Sequence, residues 1–378
     1  MKNIDNKNEE KFKCVCSSKN IFPENNKYIH SSKFISNNSF IIFNDKNVIK
    51  YNYDYDYDLS SDFFKLNLNH SQKEFIENNY IYDYDLISDN YGINSNICLC
   101  SKDNPIRILD NDLSLVKSFS LENKEKDAFL SSTFIKYEQF GLNIYTGKNF
   151  LCKLDLVKQK EMLINYNKNY NNLSCFDFNI KYSCYFLGSY SKNLLMCDYR
   201  TDKIIEEFKQ NKSINQIKLL DNKNYNIIVG FRNSDYICIF DIRKMNNYLY
   251  KLERDALTTQ KINFVLDNKD SILYTGTVNG KLIKYNFSDE FFQKENNNNI
   301  DYPEKFNKEE YDIGISDCIS SIDLNNDLNL ILVTNGKRND NNNETNYYFR
   351  NNKDSEDDFE IQKQSQNYFH IYKFYLNR

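Results

Sequence analysis

The sequence predicts an all-β propeller of seven four-stranded blades, the last closed by an N-terminal strand, and three observations carry that prediction. An acidic or amide residue ends a short β-branched and aromatic run at Asn52, Asp110, Asp155, Asp198, Asp241 and Asn286, and the last five marks stand 43 to 45 residues apart. That is the length of one four-stranded blade. Between the marks the runs alternate apolar with polar residues and are punctuated by Gly, Asn and Asp, as half-buried strands are. Finally, the C-terminal copy lacks a fourth strand while Lys11 to Cys16 forms a strand with no blade of its own. Pairing the two closes a ring and removes the exposed edges an open array would keep.

Taken in order, the first copy spans Tyr28 to about Phe64, with FIIFN and VIKYNY as its second and third strands. The YNYDYDYD run that follows reads as a lengthened edge strand or loop. Tyr82 to Leu121 and Phe134 to Leu156 are weaker copies, and the clearest are Leu173 to Phe208, Ile214 to Leu252 and Ile262 to Phe287. Gly188 with Ser189, Gly230, and Gly276 with Thr277 end second strands, where inner strands crowd. The last copy is split: Cys318 to Leu324 and Leu330 to Asn335 are its first strands and Phe369 to Leu376 its third. Gly336 to Gln366 has the polarity of a disordered insertion, and residues 1–10 read as a flexible tail.

Composition limits the function classes. About one residue in six is Asn and mean hydropathy is -0.72, yet 30 Tyr and 28 Phe supply the apolar area for a sizeable core. The net charge of -4 excludes a global positive field, so nucleic acid must be held by a local patch. Ten Cys and a polar start from Met1 to Glu10 point to a reducing compartment, and no 18-residue apolar run suggests a membrane span. Cys14 with Cys16 and Cys98 with Cys100 are two apart rather than in CxxC pairs, and His30, His70 and His370 belong to no nucleophile or metal motif. The chain is expected to be non-catalytic, with no metal and no cofactor.

There is no Trp, so the Trp-Asp pair that names WD repeats is replaced by Leu109-Asp110, Cys197-Asp198, Phe240-Asp241 and Tyr285-Asn286. The apolar member is expected to pack between blades while the acid or amide ties the turn. Further motifs occur in order: PEN (Pro23 to Asn25), IYDY (Ile81 to Tyr84), SKDNPIRILD (Ser101 to Asp110) and GSYSKNL (Gly188 to Leu194). ICIFDIRK (Ile237 to Lys244), TTQKINF (Thr258 to Phe264) and TGTVNGKL (Thr275 to Leu282) follow. With these the chain resembles the telomerase Cajal body protein family, a group of WD-repeat β-propellers. The resemblance implies a protein that binds a short single-stranded element in box H/ACA-type small Cajal body RNAs and telomerase RNA, and supports RNP assembly, trafficking and telomere maintenance. It implies dyskerin-type RNP proteins as partners, the telomerase catalytic subunit indirectly, no direct DNA or membrane contact, and a nuclear, Cajal-body-like or nucleolar location, with the cytoplasm also open.

In a propeller the turns between second and third strands, and the connections from one blade to the next, emerge on one rim. Lys102, Arg107, Lys192, Arg232, Arg254 and Lys261 are its candidate cations, Tyr190 and Phe231 its candidate rings, and Asn104, Thr259 and Gln260 its polar readers. Single-stranded RNA needs that mixture, with bases on aromatic or guanidinium planes and amides or hydroxyls at their edges. Alternation also allows Arg107 to be a structural ion-pair partner, and Asn104 to cap its own turn. The competing class is a protein-only scaffold that grips a peptide on the rim, a role open to any propeller.

Overall fold

A computed structural model describes residues 12–19, 29–58, 63–69, 73–88, 95–120, 122–123, 128–129, 134–138, 142–146, 150–155, 158, 160–166, 170, 173–179, 183–220, 225–267, 271–287, 306–336 and 368–374. The expected tail at 1–10 and, apart from Gly336, the expected insertion at 336–366 lie outside the described residues. Among those described, the chain is an all-β propeller without helices: six four-stranded sheets, one five-stranded sheet and a two-stranded ribbon.

β1 (Phe12–Lys19) joins the sheet that ends the chain. β2 (Ile29–Ser36), β3 (Ser39–Asn44), β4 (Asn47–Asp58) and β5 (Phe63–Leu68) form the five-stranded sheet, in which β6 (Lys73–Ile76) also pairs with β4. β7 (Ile81–Ser88), β8 (Ser95–Ser101), β9 (Ile106–Leu109) and β10 (Leu115–Phe119) make the next sheet, and β11 (Glu122–Asn123) with β12 (Ala128–Phe129) the ribbon. Then come β13 (Phe134–Glu138), β14 (Leu142–Thr146), β15 (Phe150–Asp155) and β16 (Lys160–Asn165), followed by β17 (Leu173–Asn179), β18 (Cys184–Ser189), β19 (Asn193–Asp198) and β20 (Ile204–Lys209). β21 (Ile214–Leu219), β22 (Asn226–Phe231), β23 (Tyr236–Asp241) and β24 (Tyr250–Glu253) precede β25 (Phe264–Leu266), β26 (Ile272–Gly276), β27 (Lys281–Asn286) and β28 (Asn307–Asp312). β29 (Ile319–Asn325), β30 (Leu330–Asn335) and β31 (Tyr368–Phe374) take β1 as their outer strand, with Phe12 opposite Phe374 and Lys19 opposite Tyr368.

The apolar cores lie between sheets rather than within them. Ile29, Tyr51 and Tyr53 pack with Leu330, Leu332 and Phe369, while Phe186 and Leu194 pack with Val229 and Phe240. Five further clusters bridge the remaining neighbours, so each sheet is glued to the next through its inner and middle strands. The glycines near the ends of β18 and β26 are there for this contact: a Cβ on Gly188 would meet Ile214 of the next sheet at 2.6 Å, and one on Gly276 would meet Ile319 at 2.5 Å.

The repeat marks are turn locks. Asp110 accepts the amides of Asp112 and Ser114 at 2.8 and 2.9 Å, Asp198 those of Arg200 and Thr201 at 2.9 Å, and Asp155 that of Lys158 at 2.9 Å. Their apolar neighbours Leu109, Leu154 and Cys197 are fully buried. The two amides differ: Asn286 donates through Nδ2 to Glu309 on β28 at 3.1 Å, and Asn52 lies in the middle of β4. This strand is long because it changes partner: Asn47 to Lys50 pair with β6, and Tyr53 to Asp58 with β5. The resulting hairpin places Tyr53, Leu66 and Leu68 against Val15 and Cys16, clasping the N-terminal strand.

Candidate functional site

Five inner strands begin with the same irregularity. Register shifts place an extra residue at His30, Tyr82, Ser174, Asn215 and Ser320, each following Ile29, Ile81, Leu173, Ile214 or Ile319. A bulge of this kind turns one side chain away from the alternation of its strand. Ser174, Asn215 and Ser320 are buried there, whereas Tyr82 is 42% exposed.

Tyr82 stands at the mouth of a central cavity of about 890 Å³ that runs between the inner strands. Tyr80 and Tyr190, 43% and 40% exposed, line the same mouth with Lys102, Arg232, Thr259, Gln260 and Lys261. The Arg232 guanidinium lies 5.5 Å from the Tyr190 ring centroid and donates through Nε to the Thr259 carbonyl at 2.9 Å. Lys46 Nζ lies 5.9 Å from the Tyr80 ring centroid, and the Lys102 amide donates to the Tyr80 carbonyl at 2.8 Å. Gln260 donates through Nε2 to the Gly336 carbonyl at 3.1 Å. Burial, followed by the nearby Asp103, Cys100 and Tyr190, raises the Tyr82 hydroxyl above its ordinary range. The ring thus stays neutral and able to stack.

From the mouth, where its side chain is 39% exposed, Lys261 approaches the more buried Asp83, Nζ lying 3.7 Å from Oδ1. Lys261 lies on the connection leading into β25 and Asp83 on β7, so the pair spans the channel from opposite walls. Burial opposes the charge on Lys261, but Asp83 and then Tyr190 outweigh it and its pKa is raised. Asp83 is itself raised by burial, against Lys261 and the Ile135 amide, which donates to Asp83 Oδ2 at 3.3 Å.

Several rim candidates lie elsewhere. Phe231 is the last residue of β22 rather than part of the turn; it is 3% exposed and packs edge-on to Tyr236 at 5.7 Å, so no base can reach it. Arg254, also 3% exposed, donates to the Ile262 carbonyl at 3.1 Å, Thr275 Oγ1 at 3.0 Å and the Phe231 carbonyl at 3.4 Å. It is a seam tie between two sheets. Arg107 is held by Glu77 at 2.6 Å, and Asn104 donates to the same buried carboxylate at 3.1 Å. Lys192 is exposed in its turn at φ 69° but does not line the cavity.

Tyr80, Tyr82, Lys46 and Asp83 were not singled out by residue-type reasoning. The IYDY motif carried the signal, but a bulge between Ile81 and Asp83 makes alternation misread which residue faces out. A second groove of about 430 Å³ lies beside β24, β27 and β28, lined by Lys251, Lys281 and Lys308 together with Asp235, Glu253 and Glu310. Burial pushes the Cys16 thiol up to about 12, and that of buried Cys100 is also raised.

No protein-family profile matches the chain, and no curated protein is similar to it in sequence. Among solved structures it is similar to Raptor from Chaetomium thermophilum, with a TM-score of 0.64 and 12% identity over 97% of this chain and 29% of that one. It is also similar to the WD40 β-propeller domain of Doa1, with a TM-score of 0.60 and 9% identity over 96% of this chain and 97% of that one. The chain therefore spans less than a third of the Raptor chain. At such identities the likeness speaks for the fold alone, and that fold is the WD40 β-propeller.

Proposed function

We propose that this chain is a non-catalytic interaction module, a seven-bladed WD-repeat ring that counts the five-stranded sheet as its first blade, and that its channel mouth binds single-stranded RNA. The observation that carries this reading is the convergence of Tyr80, Tyr82 and Tyr190 with Lys102, Arg232 and Lys261 around one opening, with Lys46 beside Tyr80. Bases of an unpaired strand stack on tyrosine rings while ammonium and guanidinium groups take the phosphates. Stacking is worth roughly 1–3 kcal/mol per base, so three rings hold a short element without a basic protein. The net charge of -4 is then no obstacle.

The resemblance to the telomerase Cajal body protein family narrows the reading. Its ligands would be box H/ACA small Cajal body RNAs and telomerase RNA, with dyskerin-type RNP proteins as neighbours in the nucleus. Crosslinking the chain in cells and sequencing the bound RNA tests this: guide-type RNAs sharing a short loop motif are expected, and messenger background alone rejects it. The mixed-charge groove beside β24, β27 and β28 favours a second reading, a scaffold that takes an extended peptide of alternating charge. In that case peptide binding would be lost with Lys251→Ala or Lys281→Ala and RNA would not compete.

A further inference from the structure

On five inner strands the residue that follows the bulge is Ser31, Asp83, Cys175, Gln216 or Ser321, and all five line the cavity. Four of these five are uncharged. Gln216 both accepts the Phe264 amide at 2.9 Å and donates to its carbonyl at 2.7 Å, and Ser321 Oγ accepts the Ser32 amide at 3.2 Å. A neutral side chain thus suffices for the seam. Asp83 brings a charge that the scaffold does not require, and its cation arrives from across the channel.

We propose that one base of the bound strand turns edge-first into the channel and is read by Asp83 and Lys261, which makes this cross-channel pair the specificity-determining contact of the site. The inference rests on the RNA reading above. At 3.7 Å the two groups are close enough to attract but are not locked in a short hydrogen bond. Lys261 therefore retains donors, and Asp83 Oδ1 retains acceptor capacity while Oδ2 serves the Ile135 amide. Each nucleobase has a Watson–Crick edge that sets a donor beside an acceptor, the complement of an ammonium beside a carboxylate, whereas the N7 and O6 of guanine's other edge are both acceptors and do not match the pair. Among the residues that line the same cavity, Ser32 Oγ and Asn263 Oδ1 are buried atoms without a hydrogen-bond partner, and Ser32 is 3% exposed. Buried polar atoms of this kind call for a polar occupant. Asp83 and Asp85 repel a phosphate at that depth, so the strand's backbone stays at the mouth with Lys102 and Arg232.

The test is selection of the full chain against a short, fully randomised RNA pool, repeated with Asp83→Asn and Lys261→Met. Asp83→Asn keeps an acceptor for the Ile135 amide, and unchanged melting checks that both variants are folded. The wild-type chain is expected to enrich a motif with one dominant base, favoured over the others roughly 5- to 150-fold, the range that a well-made pair of edge hydrogen bonds supplies. Both variants should flatten or re-rank that position while the flanking positions persist. A motif unchanged in both variants, or wild-type binding with no base preference, overturns the insertion and leaves the RNA reading standing. No enrichment of any RNA by the wild-type chain overturns both.

Discussion

Tyr82→Ala and Phe231→Ala separate the mouth from the core. Tyr82 is 42% exposed at a bulge, and among the described residues its ring supports no core cluster, so truncation should change stability by less than about 1 kcal/mol. If a base stacks on it, affinity for the selected RNA should fall by about 1–3 kcal/mol, roughly 5- to 150-fold. Phe231 is 3% exposed and packs with Val229, Cys238 and Phe240. Truncating a buried Phe costs about 3–5 kcal/mol. With an unfolding entropy of ~2.1 cal/mol/K per residue, 378 residues give ~0.8 kcal/mol/K, so Tm should drop by about 4–6 °C. Scanning calorimetry and fluorescence anisotropy read the two quantities side by side. A Tm loss for Tyr82→Ala as large as that for Phe231→Ala would refute the assignment of the mouth. So would a loss of affinity in Phe231→Ala with unchanged melting.

Burial holds Asp323 up to about 6, against the lowering effects of Lys33 and the Phe34 amide, so the folded chain binds this proton more tightly than the unfolded one. Its contribution is present below the ordinary Asp range and lost as pH rises through about 6; Asp323→Asn, which keeps an acceptor for Phe34, should gain stability relative to wild type between about pH 4 and 6.5 in urea titrations, and parallel profiles over that range reject this. Leu66→Ala should cost about 2–5 kcal/mol at the clasp, seen as faster amide exchange in β1 and β5 with β21 to β24 unaffected. Arg254→Met leaves the Ile262 and Phe231 carbonyls without their donor, so a loss of about 2–4 kcal/mol is expected, with RNA affinity of the folded fraction unchanged.

The rhythm of blades was legible because its causes are local. An Asp that locks its own turn, as at Asp110 and Asp198, leaves the same mark in every copy, and strand alternation shows on either side of it. The orphan strand at Phe12 was legible by elimination, since β31 had no other outer neighbour. The partner exchange along β4 was not, because the choice between β5 and β6 is made by packing against Val15 and Cys16 from the far end of the ring. β28 was missed for a related reason: its run NKEEYD alternates too weakly to announce a strand and is fixed by pairing with β27. Among rim residues, Tyr190 and Phe231 looked equivalent in sequence. One lies beyond the end of β18 and the other within β22, a difference of one register position that reverses which side meets solvent.

The lower channel explains why the upper one is informative. There Asp323 accepts the Phe34 amide and Asp177 the Leu219 amide, both at 2.7 Å, so these acids staple neighbouring inner strands. Lys218 approaches Asp177 at 3.7 Å, while Lys33 only partly offsets the burial that raises Asp323. Both acids serve the seam between neighbouring inner strands. Asp83 shares the stapling duty through the Ile135 amide, yet its cation comes from the connection before β25, over the channel rather than along the seam. Folding alone would be served as well by Gln or Ser at that position, as it is at Gln216 and Ser321. The bulge tells the same story, since buried Ser or Asn fills three of the five equivalent positions, His30 another and an exposed Tyr the fifth. Two scaffold positions that carry more chemistry than the scaffold uses, adjacent in sequence and lining one cavity, are the reason we propose Tyr82 and Asp83 as the binding residues of the ring.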